Sequence, residues 1–274
     1  PTFRHDLFEA YKAHRPETPG ELIQQIPKIK EFLKLMHIPI YEMEGFEADD
    51  ILATLSKQAE QRGIKTVIVS SDKDLLQLVS DHVCMLSERM GHKVIYTPAK
   101  VQEKYGITPA QISDFLGLVG DTSDNIPGIK GIGEKTASEL LQQFGSLEEV
   151  LNHPEAVKNK SRRESLEQSR EIALKSKELA TVRTDVPIAL NLAELQRSAP
   201  DYRKLRTYFH DLEFYSLIRD VIPAVERGYA PAEEEQKPEG KIYQAVLTEE
   251  HLQQVLAELR ATHPPSPSLY GREG

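Results

Sequence analysis

Apolar residues in the stretch 21–36 fall at Leu22, Ile26, Ile29, Leu33 and Met36, a spacing that predicts one face of an amphipathic helix. Upstream, "DLFEAYKAHR" (6–15) predicts a short helix stopped by Pro16. "IPIYEM" (38–43) has the pattern of a strand, and "ADDILATLSKQAEQRG" (48–63) that of a helix closed by Gly63. The β-branched run "TVIVSS" (66–71) reads as a buried parallel strand. "DKDLLQLV" (72–79) then starts a helix, and "HVCML" (82–86) and "KVIYT" (93–97) add two strands. This β-α-β-α alternation predicts an α/β fold, a mostly parallel sheet with flanking helices.

Beyond residue 99 the periodicity turns helical, with short turns marked by Gly or Pro, through "LEFYSLIRDV" (212–221). Four segments follow: an α/β core over 1–99, a helical subdomain over 100–221, a linker over 222–240 rich in Pro and Glu, and 241–274. The last holds one predicted strand and one helix, with Thr248 as its N-cap, before "THPPSPSLYGREG". That is too little for an independent domain, and this end is expected to be cut.

Composition narrows the function classes. The chain has 274 residues, 39% hydrophobic and 28% charged, with a net charge of −9, which fits a globular protein with a core. Its apolar runs fall well short of the roughly 20 residues that a membrane span needs. No charged-then-apolar leader is present. The single cysteine, Cys84, excludes internal disulfides and cysteine-rich zinc sites and points to a reducing cytoplasm. A first residue of Pro1 implies processing or an internal piece of a longer protein.

Three acidic clusters mark junctions between predicted elements. "GFEADD" carries Glu47, Asp49 and Asp50 into a helix, "SSDKD" sets Asp72 and Asp74 past a strand end, and "GDTSD" sets Asp121 and Asp124 before a glycine turn. Ligands in open α/β sheets sit outside the C-terminal strand ends. All-oxygen donors suit hard cations such as Mg²⁺ or Mn²⁺, and a pair of such ions can activate water against a phosphodiester. Singly, each cluster also fits a solvated helix start, where acids complement the helix dipole. A phosphatase built on the Asp-x-Asp of "SDKDL" is disfavoured, because Leu75 and Leu76 follow where that chemistry wants Thr.

Next comes "PGIKGIGEKTASELL", with Gly128, Gly131 and Gly133 ahead of a helix. Glycines allow a close backbone approach, and free amides at the helix start attract phosphate. Lys130 and Lys135 flank the turn, and Lys158, Lys160, Arg162 and Arg163 follow downstream. This is helix-hairpin-helix grammar, a sequence-independent grip on a DNA backbone. In the first predicted helix Lys12 and Arg15 share a face beside Tyr11, a group able to clamp a phosphate and stack a base.

Taken together, "PTFRHDLFEAYKAHRP", "GFEADDILATL", "VSSDKDLLQLV" and "GLVGDTSDNIPGIKGIGEKTA" resemble the 5′-nuclease domain of bacterial DNA polymerase I, a relative of the flap endonucleases. The resemblance covers residues 1 to about 221 and implies a PIN-like core with a helix-hairpin-helix subdomain. Residues 241–260 resemble the start of the next, 3′–5′ exonuclease-like domain. It further implies a metal-dependent 5′–3′ exonuclease and flap endonuclease, monomeric, acting on 5′ flaps, nicked duplex and RNA primers in replication and repair. By motif match, Glu47, Asp49, Asp50 and Asp72 would surround a first metal ion, and Asp74, Asp121 and Asp124 a second. Tyr11, Lys12 and Arg15 match the gateway for the 5′ strand. Arg4, Gly128, Lys130, Gly131, Gly133, Lys135 and Thr136 would contact DNA, with K⁺ at the hairpin. The family pattern begins with two aspartate-bearing strands ahead of "PTFRH". The resemblance therefore implies a piece with an incomplete sheet and two fewer metal ligands. The alternative is a catalytically impaired, structure-selective DNA-binding fragment.

Overall fold

The sheet that carries the site has three strands, β1 (Thr66–Val69), β2 (Val83–Arg89) and β3 (His92–Tyr96), in the order β1-β2-β3. In the computed structural model, which describes residues 2–89 and 91–223, β1 runs parallel to β2 with Thr66 opposite Val83. β3 returns antiparallel, Met85 opposite Tyr96. Residues Pro1–Ile218 form one compact unit and Arg219–Gly274 another. The predicted linker and the strand and helix after it lie, except for residues 222 and 223, outside the described residues.

Helices α1 (Phe3–Leu7) and α2 (Gly20–Leu35) come first in the chain, then α3 (Ala48–Gln61), which packs on β1, and α4 (Pro98–Tyr105), which packs on β3. The helical part follows: α5 (Ile112–Val119), α6 (Glu134–Phe144), α7 (Leu147–Asn152), α8 (Lys160–Gln168), α9 (Arg170–Ala180) and α10 (Tyr202–Asp211). Hydrophobic α5 is the hub, with Phe115, Leu116 and Leu118 buried in one cluster with Leu141, Val150, Ala173 and Leu179. That cluster continues into the sheet through Ile68, Val83, Met85 and Tyr96.

Three expectations from the sequence fail for physical reasons. The helix expected over 6–15 ends at Leu7, and Lys12 adopts a left-handed φ of 54°. Helix propensity loses there to tertiary bonds. The Lys12 amide donates to the Asp124 carbonyl at 3.0 Å, and the Asn125 side chain donates to the Ala10 carbonyl at 2.6 Å. Residues 38–43 form no strand, since a strand requires a hydrogen-bonded neighbour and none pairs there. The segment after β1 forms a 3₁₀ helix (Lys73–Leu78) rather than an α-helix, capped by the Asp72 carboxylate accepting from the Asp74 amide at 3.0 Å.

"TVIV" is buried on one face only. Ile68 is buried, while Val67 and Val69 are 59% and 72% exposed. Helix α2 forms as predicted yet buries no residue completely, with Leu22, Ile26 and Ile29 exposed. Its firm contact is with α10, where Phe32 stacks on Phe209 at 5.6 Å and the Tyr208 hydroxyl donates to the Lys28 carbonyl. Among the described residues no helix is long and apolar enough to cross a membrane.

One edge of β1 pairs with β2, and among the described residues the other has no partner strand. The Thr66 and Ser70 amides donate to the His82 and Leu86 carbonyls, so the intervening Val67 and Val69 amides point to the other edge. Hydrogen exchange should show protection at Thr66 and Ser70 and little at Val67 and Val69. Equal protection at all four would mean that this edge is covered in solution.

Candidate active site and nucleic-acid interface

Helix α3 begins with Glu47 as its N-cap residue and carries Asp49 and Asp50 in its first turn. Asp72 and Asp74 lie just beyond the C-terminal end of β1. Asp121 and Asp124 sit in a tight loop after α5, closed by paired backbone bonds between Asp121 and Ile126 at 2.9 and 2.7 Å. Six of these acids gather in one electrostatic chain. Asp49 feels Asp72 and Glu47, and Asp74 feels Asp72, Asp121 and Asp124.

Asp50, expected among the metal ligands, faces the interior. Its Oδ1 accepts from Arg4 Nη2 and the Arg183 amide, both at 2.8 Å. Its Oδ2 accepts from Arg4 Nη1 at 2.8 Å and the Glu47 amide at 3.1 Å. Four donors fill the capacity of a carboxylate, so Asp50 is a structural anchor. Burial acts to raise its pKa, but the bonds from Arg4 and Arg183 outweigh that and hold it below the usual range. Arg4, expected on DNA, is 2% exposed and also donates to the carbonyls of Leu179 and Thr181. It does not reach the surface.

Tyr11 is likewise buried at 2% exposure, so its ring is not free to stack a base. Its hydroxyl lies 3.1 Å from both Glu47 Oε2 and Asp124 Oδ2, two acceptors for one proton. Burial, together with those carboxylates, pushes its pKa far up. Lys12 Nζ contacts both Glu47 oxygens at 2.9 Å and Asp124 at 3.4 Å, and Arg15 Nη2 meets Asp124 at 2.6 Å. The pair expected on one helix face thus converges on one carboxylate from an irregular turn.

Lys73, which sequence reasoning missed, stands 3.2 Å from Asp121 Oδ2. The signal was present, since a lysine between two aspartates in "SDKD" is placed to neutralise an acidic site. Ser123, missed too, donates to Asp121 Oδ1 from its amide at 2.8 Å and its hydroxyl at 2.6 Å. Burial raises the Asp121 pKa, but these bonds and Lys73 overcome it and lower it.

Asp74 behaves in the opposite way. It is 7% exposed and its Oδ1 has no hydrogen-bond partner. Burial, then repulsion from Asp72, Asp121 and Asp124, pushes its pKa up to about 8. Burial and Asp72 take Asp49 to about 6. Among the described residues no three His, Cys, Asp or Glu side chains close around a metal position, and Lys12, Arg15 and Lys73 stand between the acids instead. The donor chemistry fits a hard cation nonetheless, and the orphaned Asp74 oxygen is what such an ion would satisfy.

The glycine hairpin is seated from below. Ile129 and Ile132 are buried, while Lys130, Gly131, Gly133 and Lys135 are exposed and Thr136, in the first turn of α6, is half-buried. Gly128, expected on DNA, has a packing role: a Cβ there would lie 2.0 Å from the Val119 carbonyl oxygen. Gly120 (φ +77°) meets the same backbone, its Cβ position 2.4 Å from the Gly128 nitrogen. A Cβ at Gly131 or Gly133 would meet nothing within 4 Å, and both residues are exposed, so their backbone is open to a ligand.

Two measurements check this geometry. Gly128→Ala should lower stability in urea by about 3 kcal/mol, as overpacking does, while Gly131→Ala costs about 1 kcal/mol for its left-handed φ; equal effects would deny the close contact. With its pKa raised above the unfolded value, Asp74 holds more protons folded than unfolded between about pH 4 and 8, so its contribution to stability falls as pH rises there. Asp74→Asn should flatten the fall in Tm across that window in metal-free buffer. An unchanged slope would show that Asp74 is not its source.

The sequence matches the profile of the 5′-3′ exonuclease N-terminal resolvase-like domain over residues 1–106 and of the 5′-3′ exonuclease C-terminal SAM fold over 107–203. It is 46% identical over 243 residues to DNA polymerase I of Bacillus caldotenax, covering 88% of this chain and 27% of that protein. With the thermostable DNA polymerase I of Thermus thermophilus it shares 44% over 263 residues, covering 95% of this chain and 30% of that protein. The chain thus spans well under a third of the length of these relatives. Among solved structures, T5 5′-exonuclease with bound zinc superposes with a TM-score of 0.56 at 20% identity, covering 83% of this chain and 79% of that one. The catalytic core of Rad2 in complex with DNA substrate does so with 0.56 at 15%, covering 84% and 77%. At such identities the likeness is one of fold. The two profiles, consecutive along residues 1–203, place the chain in the 5′–3′ exonuclease family.

Proposed function

We propose that this chain acts as a divalent-metal-dependent 5′-nuclease, the 5′–3′ exonuclease and flap-cleaving part of a DNA polymerase I. The observation that carries the reading is the buried Asp74 carboxylate, with one oxygen unpartnered and Asp72, Asp121 and Asp124 as its acidic neighbours, in a chain that also presents an exposed glycine hairpin. Residues 1–99 would serve as the nuclease core and 100–221 as the DNA grip. The substrates are 5′ flaps, nicked or branched duplex and RNA primers, met by a cytoplasmic monomer.

Glu47, Asp49 and Asp72 would hold one ion and Asp74, Asp121 and Asp124 a second, either Mg²⁺ or Mn²⁺, with K⁺ at the hairpin. When bound, such ions supply an activated water and charge stabilisation for phosphodiester hydrolysis. The chain's own residues prepare that state. Lys12 and Arg15 neutralise Glu47 and Asp124 and would be the cations nearest a phosphate held at those acids. Tyr11 keeps a proton between Glu47 and Asp124 and fixes their spacing. The exposed backbone at Gly131 and Gly133, with Lys130, Lys135 and Thr136, would hold the duplex without reading bases.

The ammonium and guanidinium partners of the acids favour a second reading, a catalytically impaired module that binds branched DNA. A 5′-labelled flap on nicked duplex separates the two. With Mg²⁺ or Mn²⁺ the chain should cut it, the Asp121→Ala/Asp124→Ala variant at least ~10²-fold more slowly, and a chelator should abolish cutting but not the gel shift. A shift without cleavage in either metal would establish the second reading.

A further inference from the structure

Beside the acidic cluster lies a recess of about 170 Å³ whose wall includes Ser71, Lys73, Ser87, Tyr96, Lys104 and Tyr105. It draws on four places in the chain: the loop after β1, the 3₁₀ helix, the adjoining strands β2 and β3, and α4. None of its lining side chains is acidic, in a chain with net charge −9 and one residue from Asp72. Two lysines, two serines and two tyrosines border a single small space instead.

Lys104 is held in place. Its Nζ donates to the Tyr96 hydroxyl at 2.8 Å and lies 5.0 Å from the ring centroids of both Tyr96 and Tyr105. The bond and the two ring contacts fix the ammonium beside both tyrosines, which position a charge here. One hydrogen bond leaves the ammonium further donors. Lys73 joins the recess to the acids, since its Nζ stands 3.2 Å from Asp121. The volume is below the ~300–1,000 Å³ usual for whole small-molecule ligands, which selects a compact anion over a nucleoside.

We propose that this recess is a phosphate subsite, taking a phosphate of the nucleic-acid strand whose neighbouring linkage lies at the acids. Lys104 and Lys73 supply the charge and Ser71 and Ser87 the directed hydrogen bonds. Only the identification of the strand rests on the nuclease reading; the anion site does not need it.

Calorimetric titration of the full chain in chelator keeps the two apart, because no cleavage is involved. Inorganic phosphate and thymidine 5′-monophosphate should both bind, and unphosphorylated thymidine should not. A nucleotide that binds at least tenfold more tightly than inorganic phosphate marks the strand as the source, and equal binding marks free phosphate. Lys104→Met should weaken phosphate binding at least tenfold, Lys104→Arg much less, and Lys65→Ala, on the exposed stretch before β1, not at all. Should Lys104→Met fail to fold, Ser87→Ala replaces it, with a loss of severalfold expected. No phosphate binding by the native chain, or binding lost in Lys65→Ala and kept in Lys104→Met, would overturn the proposal.

Discussion

One guanidinium ties the architecture of the site together. Arg4 spends its donors on both oxygens of Asp50 and on the carbonyls of Leu179 and Thr181, so α1, α3 and the segment after α9 meet at one side chain. Breaking such a buried pair by removing one partner leaves an uncompensated charge, at a cost of about 3–5 kcal/mol. The pair also sets the register of α3, because Asp50 bonds back to the Glu47 amide at the cap. The outward turn of Glu47 and Asp49 follows from the inward turn of Asp50.

The remaining acids illustrate how one protein assigns opposite fates to like groups. Asp50 and Asp121 are fully supplied with donors and stay charged easily. Asp74, equally buried, receives none at Oδ1. A buried carboxylate without donors is costly to ionise, and the fold tolerates it where an incoming cation can lift the cost. Lys12, Arg15 and Lys73 balance the neighbouring charge meanwhile.

Much of this was legible in the sequence because it is local. The strand at Thr66–Val69, helix α3 with its acidic start and the glycine turn ahead of α6 follow from short-range pattern. The places of Glu47 and Asp49 at a helix start and of Asp72 and Asp74 past a strand end followed too. What could not be read depends on distant partners. Asp49 and Asp50 are adjacent and chemically alike, and only Arg4 and Arg183, far off in the chain, decide which one faces inward. Tyr11 looked like a helix-surface residue until Glu47 and Asp124 supplied its acceptors. Strand 38–43 failed because amphipathic pattern is no substitute for a pairing neighbour.

The seam between Gly120 and Gly128 has a mechanical meaning. The Ile129 amide donates to the Leu118 carbonyl at 2.8 Å, and no side chain fits between the two glycine backbones. The loop bearing Asp121 and Asp124 and the hairpin bearing Gly131 therefore spring from one fused junction, with no room for a hinge. In the proposed nuclease the span from grip to cut is a fixed length of backbone, so the protein works as a calliper. It would place its incision by distance from the held duplex, indifferent to the bases lying in between.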